Sequence, residues 1–590
     1  MKKMFVTASV FVLLAGITAH GAPKLSLTSA RAKKSVSVTV SPTSATLDTG
    51  SSMLFTAKVT GSTSPVAWQA TCGTIDSRGK YTAPSGAGKC DVRATVASAS
   101  SSPAAVTVVA PPPPPSPPPP PPTGTVIPVF PGPGAFEAAL SQAVTAAQAG
   151  PVTMILAAGD YTGDFVLPRT GSSYGITITA DPSQLPAAGV RMTPAYEWSL
   201  PRLIAAYSSS TPLVINGDNY TVRGLQVVTP GVGYTTVDVS AGHTGWIPRN
   251  VTLDQMLIRG NATTGGHRGV AANGINVSVT NSWIDRMWEV GRDSQGVAAW
   301  DTPGPLTITN NYLEASGENF LLGGSTPSCG CVPADVVFSG NTVEKDLAWR
   351  SMPTSPQIKN LFELKVGRRV LATNNTFRYN WLQAQTGWSI LFTTNVDSGS
   401  ANVIEDVTFR GNLIRDVASG VNIAAVSGPV RRIRVDHNVW QRIDSNVWGG
   451  DGRFAIVQAG TAGADDIAFV HNTVLGLTGN QFLGLYGDVL LQRFTMTHNV
   501  VDQREYGIHS ISGLAIDALT TTAPGAVFAD NAIIGPDIYY LKYPSGNFRL
   551  DLTVADQFDS TYAIKPGSPL AGLPTTDGAA VGADPSQVPH

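Results

Sequence analysis

Short runs in which apolar and polar residues alternate, each closed by an asparagine, return through the second half of this chain. The phrase is apolar-x-apolar-x-x-Asn-x-apolar. It is legible at Leu306–Asn311–Leu313, Val336–Asn341–Val343, Val370–Asn375–Phe377 and onward, and at Val277–Asn281–Trp283 with one residue missing before the Asn. The nine asparagines are Asn281, Asn311, Asn341, Asn375, Asn412, Asn438, Asn472, Asn499 and Asn531, spaced 30, 30, 34, 37, 26, 34, 27 and 32 residues apart. In a strand, alternate residues face opposite sides, so each run buries one side. A fixed turn residue beside a short strand, with loops of varying length between, is the signature of coils stacked into a parallel β-helix. Coils about 4.8 Å apart bring the asparagines into one column, where each amide can bond the coils above and below.

The pattern changes toward the N-terminus. From about residue 35 to 110 short alternating strands, such as Val36-Val38-Val40 and Val92-Ala94-Val96, are separated by turn residues at the intervals of a β-sandwich. Residues 111–125 form a proline-rich linker whose run from Pro111 to Pro122 is broken only by Ser116, and it predicts an extended polyproline spacer. Beyond it, Phe136, Leu140 and Val144 recur at helical spacing, which predicts a helix over 135–149 that caps the open end of the solenoid. From Ile176 to Val581 only short strands are expected.

Composition narrows the function. Charged residues make up 14% of the chain and the formal charge is −2, which carries no signature of nucleic-acid binding. Lys2 and Lys3, the apolar run from Met4 to Ile17 and the small residues around Ala19-His20-Gly21 read as a signal peptide over 1–21. The run is too short to span a bilayer, so the expectation is an exported protein with no membrane span, and a monomer. Four cysteines suit that compartment. Cys72 and Cys90 would close one loop of the small domain, and Cys329-Gly330-Cys331 reads as a loop staple rather than a metal site.

Candidate chemistry gathers on three successive coils. Asn360-Leu361-Phe362-Glu363-Leu364-Lys365 turns Phe362 and Leu364 inward, leaving Glu363 and Lys365 to project to solvent. Aligning the preceding coil puts Glu318 on the same outer face and Asn319 inside, and the following coil supplies Gln385 and Trp388. A carboxylate, a lysine and an aromatic surface together suit a saccharide groove. Here Lys365 is the base, Glu363 orients it, and Glu318 acts as acid or binds a cation. Trp388, Gln385, Asp293 and Gln295 hold sugar. The bland alternative is a Glu363–Lys365 surface ion pair. His437, His471 and His498 each precede a ladder asparagine and should stack. Stacking alone accounts for them, and with no carboxylate repeated beside them no metal ligand is assigned. Calcium is the one candidate cofactor.

Several phrases resemble known families. Trp68…Cys72-Gly73-Thr74-Ile75-Asp76…Gly79-Lys80-Tyr81-Thr82-Ala83-Pro84 resembles bacterial immunoglobulin-like modules, which implies a spacer or weak binding module over 35–110. Glu363-Leu364-Lys365 followed by Asn374-Asn375-Thr376-Phe377 is similar to part of the site of β-helix alginate lyases and chondroitinase B, which implies that Lys365 abstracts the proton α to a uronate carboxylate. The Arg-His-Gly phrase of the next coil in those enzymes is replaced by Trp388-Ser389-Ile390. The Gly-His-Gly of polygalacturonases and the Arg-x-Pro-x-x-Arg of pectate lyases do not occur. Residues 126–590 resemble secreted bacterial right-handed parallel β-helix proteins of the pectate-lyase-like type. The phrases that carry this are Arg268–Gly274, Asp293-Ser294-Gln295, Asn310–Asn319 and Lys565-Pro566-Gly567-Ser568-Pro569. The resemblance implies an all-β protein: an immunoglobulin-like sandwich followed by a right-handed parallel β-helix. The function expected is cleavage of an extracellular polysaccharide by a lyase or hydrolase. Its rival is a non-catalytic glycan-binding or surface adhesion protein.

Overall fold

A computed structural model describes residues 35–84, 86–109, 124–240, 245–536 and 541–589. The expected signal peptide, and all of the linker but its last two residues, lie outside these. The chain divides into two compact units. In the first, Ser37–Ser41 pairs antiparallel with Thr56–Thr60. A second sheet runs in the order Ser44–Asp48, Ala104–Val109, Gly88–Val96, Ala67–Ala70. Phe55, Tyr81, Val92 and Val106 fill the space inside, and a Cys72–Cys90 disulfide joins the chain just past Ala67–Ala70 to the neighbouring strand Gly88–Val96.

The second unit is a parallel β-helix. The chain visits three sheets in rotation, and the described residues build 14 strands in the first, 14 in the second and 13 in the third. Each strand lies in parallel register on its equivalent one coil earlier, as where Val336 pairs Val370 and Val370 pairs Val407. The alternation seen in the sequence is the reason. Val, Ile, Leu and Phe at every second position meet in a shared interior, where Phe320 stacks on Phe362 at 5.1 Å and Phe377 on Phe409 at 5.6 Å. A helix over Ala135–Ala146 packs Phe136, Ala139, Leu140 and Ala143 onto the first coils, as the spacing predicts, while Val144 is only partly buried. Among the described residues no helix is long and apolar enough to cross a membrane. Cys329 and Cys331 form a disulfide in their loop.

The asparagine column is continuous, with one correction at each end. Asn311, Asn341, Asn375, Asn412, Asn438, Asn472, Asn499 and Asn531 each give their backbone N–H and their Nδ2 to the Oδ1 of the next asparagine. The last acceptor is Asn547, from a coil whose strand phrase is too short to recognise. Asn281 is not a member, because Ser282 occupies its rung and Asn281 stands one residue earlier. That earlier position is left-handed throughout: φ is 51° at Asn281, 55° at Asn310, 55° at His437, 52° at His471, 61° at His498 and 57° at Asp530, with Gly340 and Gly411 in the same place. Asn, Asp, His and Gly recur there because they tolerate positive φ better than other residues. The missing residue in the first phrase marked this shift.

The C-terminal segment folds back over the second sheet. Val554, Phe558, Tyr562, Leu570, Val581 and Val588 cover Leu413, Val439, Leu475 and Val500 on the sheet's outer side.

Candidate functional site

The third sheet carries the candidate residues. Its strands Arg268–Ala272, Gln295–Ala299, Glu318–Leu322, Phe362–Leu364 and Trp388–Thr393 stack in that order. Register puts Arg268, Gln295 and Glu318 in one column and Leu321, Glu363 and Leu391 in another. Arg268 Nε donates to Gln295 Oε1 at 3.0 Å, and Gln295 Nε2 donates to Glu318 Oε2 at 3.0 Å, so one amide joins a guanidinium to a carboxylate across three coils. Arg268 also lies 4.7 Å from the Trp300 ring and 5.3 Å from that of Tyr234, and burial lowers its pKa.

These groups surround a cavity of about 310 Å³ lined by Tyr234, Arg268, Asp293, Gln295, Trp300, Glu318, Leu321, Gly323, Gly324, Ser325 and Lys365. Its floor depends on glycine. A Cβ on Gly323, at φ 94°, would lie 2.5 Å from the Val366 side chain, and one on Gly324 would lie 3.8 Å from Lys365 Nζ.

The two glutamates are not on the surface, which corrects the expectation that Glu363 projects into solvent beside Lys365. Glu318 is 1% exposed and Glu363 is 2% exposed. The reason lies underneath. Lys345, itself 1% exposed, sends its ammonium beneath the sheet to Asn319 Oδ1 at 2.7 Å, to Asn360 O at 3.0 Å and to Gly317 O. Burial pulls its pKa well below the ordinary lysine value, against the pull of Glu318 and Glu363. All three partners are acceptors, and only the charged form has three hydrogens to give, so the ammonium is retained. Lys359 adds a second cation, paired with Asp293 and 3.5 Å from Glu318 Oε1. Lys345 follows a strand of the second sheet and Lys359 sits in a loop, so the repeat marks neither. For Lys345 the available signal is positional: a Lys just beyond a strand in a chain poor in charge.

Burial, and then the nearby Glu318 carboxylate, push the pKa of Glu363 up to about 8, with Lys365 and Lys359 opposing. Lys365 Nζ stands 3.7 Å from Glu363 Oε1. One oxygen of each glutamate, Oε1 of Glu318 and Oε2 of Glu363, is buried without a hydrogen bond. With its pKa at about 8, the Glu363 carboxyl keeps its proton at neutral pH. The structure thus gathers Glu318, Lys365 and the Arg268 guanidinium around one opening, with the protonated Glu363 carboxyl behind them.

Asp293, Gln295, Glu318 and Lys365 line this cavity together, with Glu363 behind its wall. Trp388 and Gln385 do not join them. They border a separate depression of about 270 Å³ with Asn360, Leu391 and Asn422. Trp388 is 4% exposed, so the indole face expected as a sugar platform is packed inside the fold. The exposed ring at the cavity is Tyr234, from a loop between coils that carries no repeat signal.

No family model matches the chain, and no curated protein matches it. Several solved chains do. A mannuronic acid-specific family 6 polysaccharide lyase from the human gut microbiota shares 11% identity over 72% of this chain and 91% of its own, with a TM-score of 0.43. A family 28 exopolygalacturonase of Yersinia enterocolitica shares 12% identity over 70% of this chain and 85% of its own, with a TM-score of 0.35. PfbA, a surface adhesin of Streptococcus pneumoniae, shares 12% identity over 71% and 88%, with a TM-score of 0.36. Fold likeness of this kind does not fix function, and it is this chain's own side chains that bear on it.

Proposed function

We propose that the protein is exported and cleaves an acidic extracellular polysaccharide at the cavity bounded by Arg268, Glu318 and Lys365. The observation that carries this reading is the buried Glu363 carboxyl 3.7 Å from Lys365, with Glu318 opening into the same cavity. Burial raises Glu363 to about 8, and only Glu318 and Lys365 of the three open to the cavity. Perturbed acid groups gathered in a cleft mark reaction sites more often than they mark scaffolding.

Arg268 supplies positive charge for a uronate carboxylate, and the Tyr234 and Trp300 rings border the opening. In β-elimination, Lys365 removes the proton on the carbon α to that carboxylate. The electron pair forms the new carbon–carbon double bond, the glycosidic C–O bond breaks, and the leaving oxygen takes a proton from Glu318, the acid of this reading. Glu363 is a positioning residue: it touches no substrate and sets the charge around Lys365. Lys345 and Lys359 already provide the counter-charge that calcium would otherwise give Glu318, so calcium is not part of this reaction. The immunoglobulin-like unit acts as a spacer or weak binding module.

Lys365→Ala and Glu318→Gln, in the full chain, test the assignment. Both should lower turnover at least 100-fold while retaining the fold and substrate binding. The rival reading, a non-catalytic glycan-binding protein, is favoured by the aromatic and cationic rim alone, and it requires that wild type bind without turnover.

A further inference from the structure

We propose that His471, His498 and Asp577 form a site for a zinc-type divalent cation that fastens the C-terminal segment to the β-helix. The residues lie on the second sheet's turn column, away from the cavity described above. His437, His471 and His498 stack there with ring centroids 4.8 and 4.7 Å apart. The expectation that no carboxylate accompanies them is corrected by the fold, because two arrive from elsewhere in the chain. Asp577 comes from the returning C-terminal segment, and Asp530 occupies the next position of the same left-handed column.

The hydrogen-bond arithmetic calls for a cation. His471 Nδ1 lies 3.2 Å from the Gly582 carbonyl, which can only accept, so Nδ1 carries the hydrogen. In the neutral ring Nε2 is then a lone pair, and it points at Asp577 Oδ2 from 2.8 Å. A carbonyl that fixes the outer nitrogen of a histidine is the usual support behind a metal ligand. His498 is in the same position with less relief. Its side chain is 10% exposed, both ring nitrogens are buried without a hydrogen bond, and Nε2 is 3.3 Å from Asp530 Oδ2 and 3.4 Å from Asp577 Oδ1. Protonating both rings would satisfy the carboxylates, but it would place two positive rings 4.7 Å apart.

One divalent ion gives His471, His498 and Asp577 a common partner. Bonds of about 2.0–2.2 Å around a tetrahedral ion set neighbouring ligand atoms about 3.3–3.5 Å apart, which matches the His498–Asp530 and His498–Asp577 separations. The ligand atoms of His471, His498 and Asp577 all lie within 4.8 Å of one another. Two imidazoles with carboxylate suit zinc and its neighbours, whereas calcium takes oxygen ligands. Asp577 is 40% exposed on its side chain, so an ion can enter from solvent. The backbone around it is already seated: Gly582 N–H donates to His498 O at 2.7 Å, and Thr576 Oγ1 donates to Asp530 Oδ2 at 2.5 Å.

The test uses the full chain without an affinity tag, stripped with EDTA and dialysed against zinc chloride. Bound zinc is measured by elemental analysis, and the C-terminal segment is probed with carboxypeptidase. One zinc per chain, not displaced by excess calcium, with at least a tenfold slower digestion of the segment, is the expected result. Asp577→Asn and His498→Gln should each lower zinc affinity at least tenfold. The proposal is overturned if the stripped wild type takes up no stoichiometric zinc, or if zinc leaves digestion unchanged. It is also overturned if both folded variants retain full affinity.

Discussion

Lys345 Nζ lies 2.7 Å from Asn319 Oδ1, so a buried ammonium holds the residue that follows Glu318. Asn319 returns the hold by donating its Nδ2 to Leu313 O at 2.9 Å and Glu344 O at 2.7 Å, which fixes the corner between two sheets. The strand bearing Glu318 therefore leaves that corner in one direction, with the carboxylate facing the cavity.

Lys345→Met should destabilise the β-helix by about 3–5 kcal/mol, since it strands three acceptors and leaves two buried carboxyls without their deepest counter-charge. Urea denaturation followed by circular dichroism measures it. A change below about 1 kcal/mol would mean that the ammonium is not the anchor of this corner.

The asparagine ladder should be far less tolerant than its neighbouring column. Asn438→Ala removes the Oδ1 that accepts from Asn412 N–H and Nδ2, each at 2.9 Å, and the donor to Phe409 O. Buried groups left without partners cost about 1–3 kcal/mol each, so a loss on the order of 3 kcal/mol is expected. Asn281→Gly, off the ladder at φ 51°, should cost about 1 kcal/mol or less. Urea midpoints of the two variants compare them directly.

The raised acid makes a prediction about pH. The Glu363 carboxyl stays protonated in the folded protein up to about pH 8 but ionises near the ordinary glutamate value of 4.5 when unfolded. The unfolded chain thus binds fewer protons between those values, and stability falls as pH rises through that window. Glu314, raised to about 7 by burial and then by Asp285, acts in the same direction. His267, lowered to about 4 chiefly by burial, acts oppositely between there and 6.5. Glu363→Gln isolates one contribution: its stability relative to wild type should be nearly level at pH 4.5 and rise toward pH 8. A relative stability that falls with pH would contradict the assignment. Melting temperatures across the range supply the measurement.

Removing the Cys72–Cys90 disulfide should affect one unit alone. The Cys72–Cys90 bond closes a loop across a sequence separation of 18, worth roughly 3 kcal/mol to the small N-terminal unit. Cys72→Ser/Cys90→Ser should lower the first unit's melting transition in calorimetry and leave that of the β-helix in place.

Much of the fold was legible because it is repetitive. Apolar alternation marked the strands, and the asparagines marked the turn, so the register of Val336, Val370 and Val407 follows from the sequence alone. The site was legible only in part. Glu318, Asp293, Gln295 and Lys365 could be placed by aligning coils, because the repeat fixes which face each residue takes. Burial could not, since it depends on loops that do not repeat: Tyr234 arrives from one, Lys359 from another, and Lys345 from beyond a strand of a different sheet. Trp388 was misread for the same reason, as what covers a ring is set by neighbouring loops rather than by its own strand. Asp577 lies 106 residues from His471, a distance over which no local pattern operates.

The most direct test of the account is the mass of products formed when the full-length protein is incubated with alginate, pectate, glycosaminoglycans and neutral glycans. Fragments one water lighter than hydrolysis products, formed from uronate polymers and lost in Lys365→Ala, are what the cavity of Arg268, Glu318 and Lys365 predicts. Fragments of full hydrolytic mass, or binding to these polymers with no fragments from well-folded protein, would contradict it.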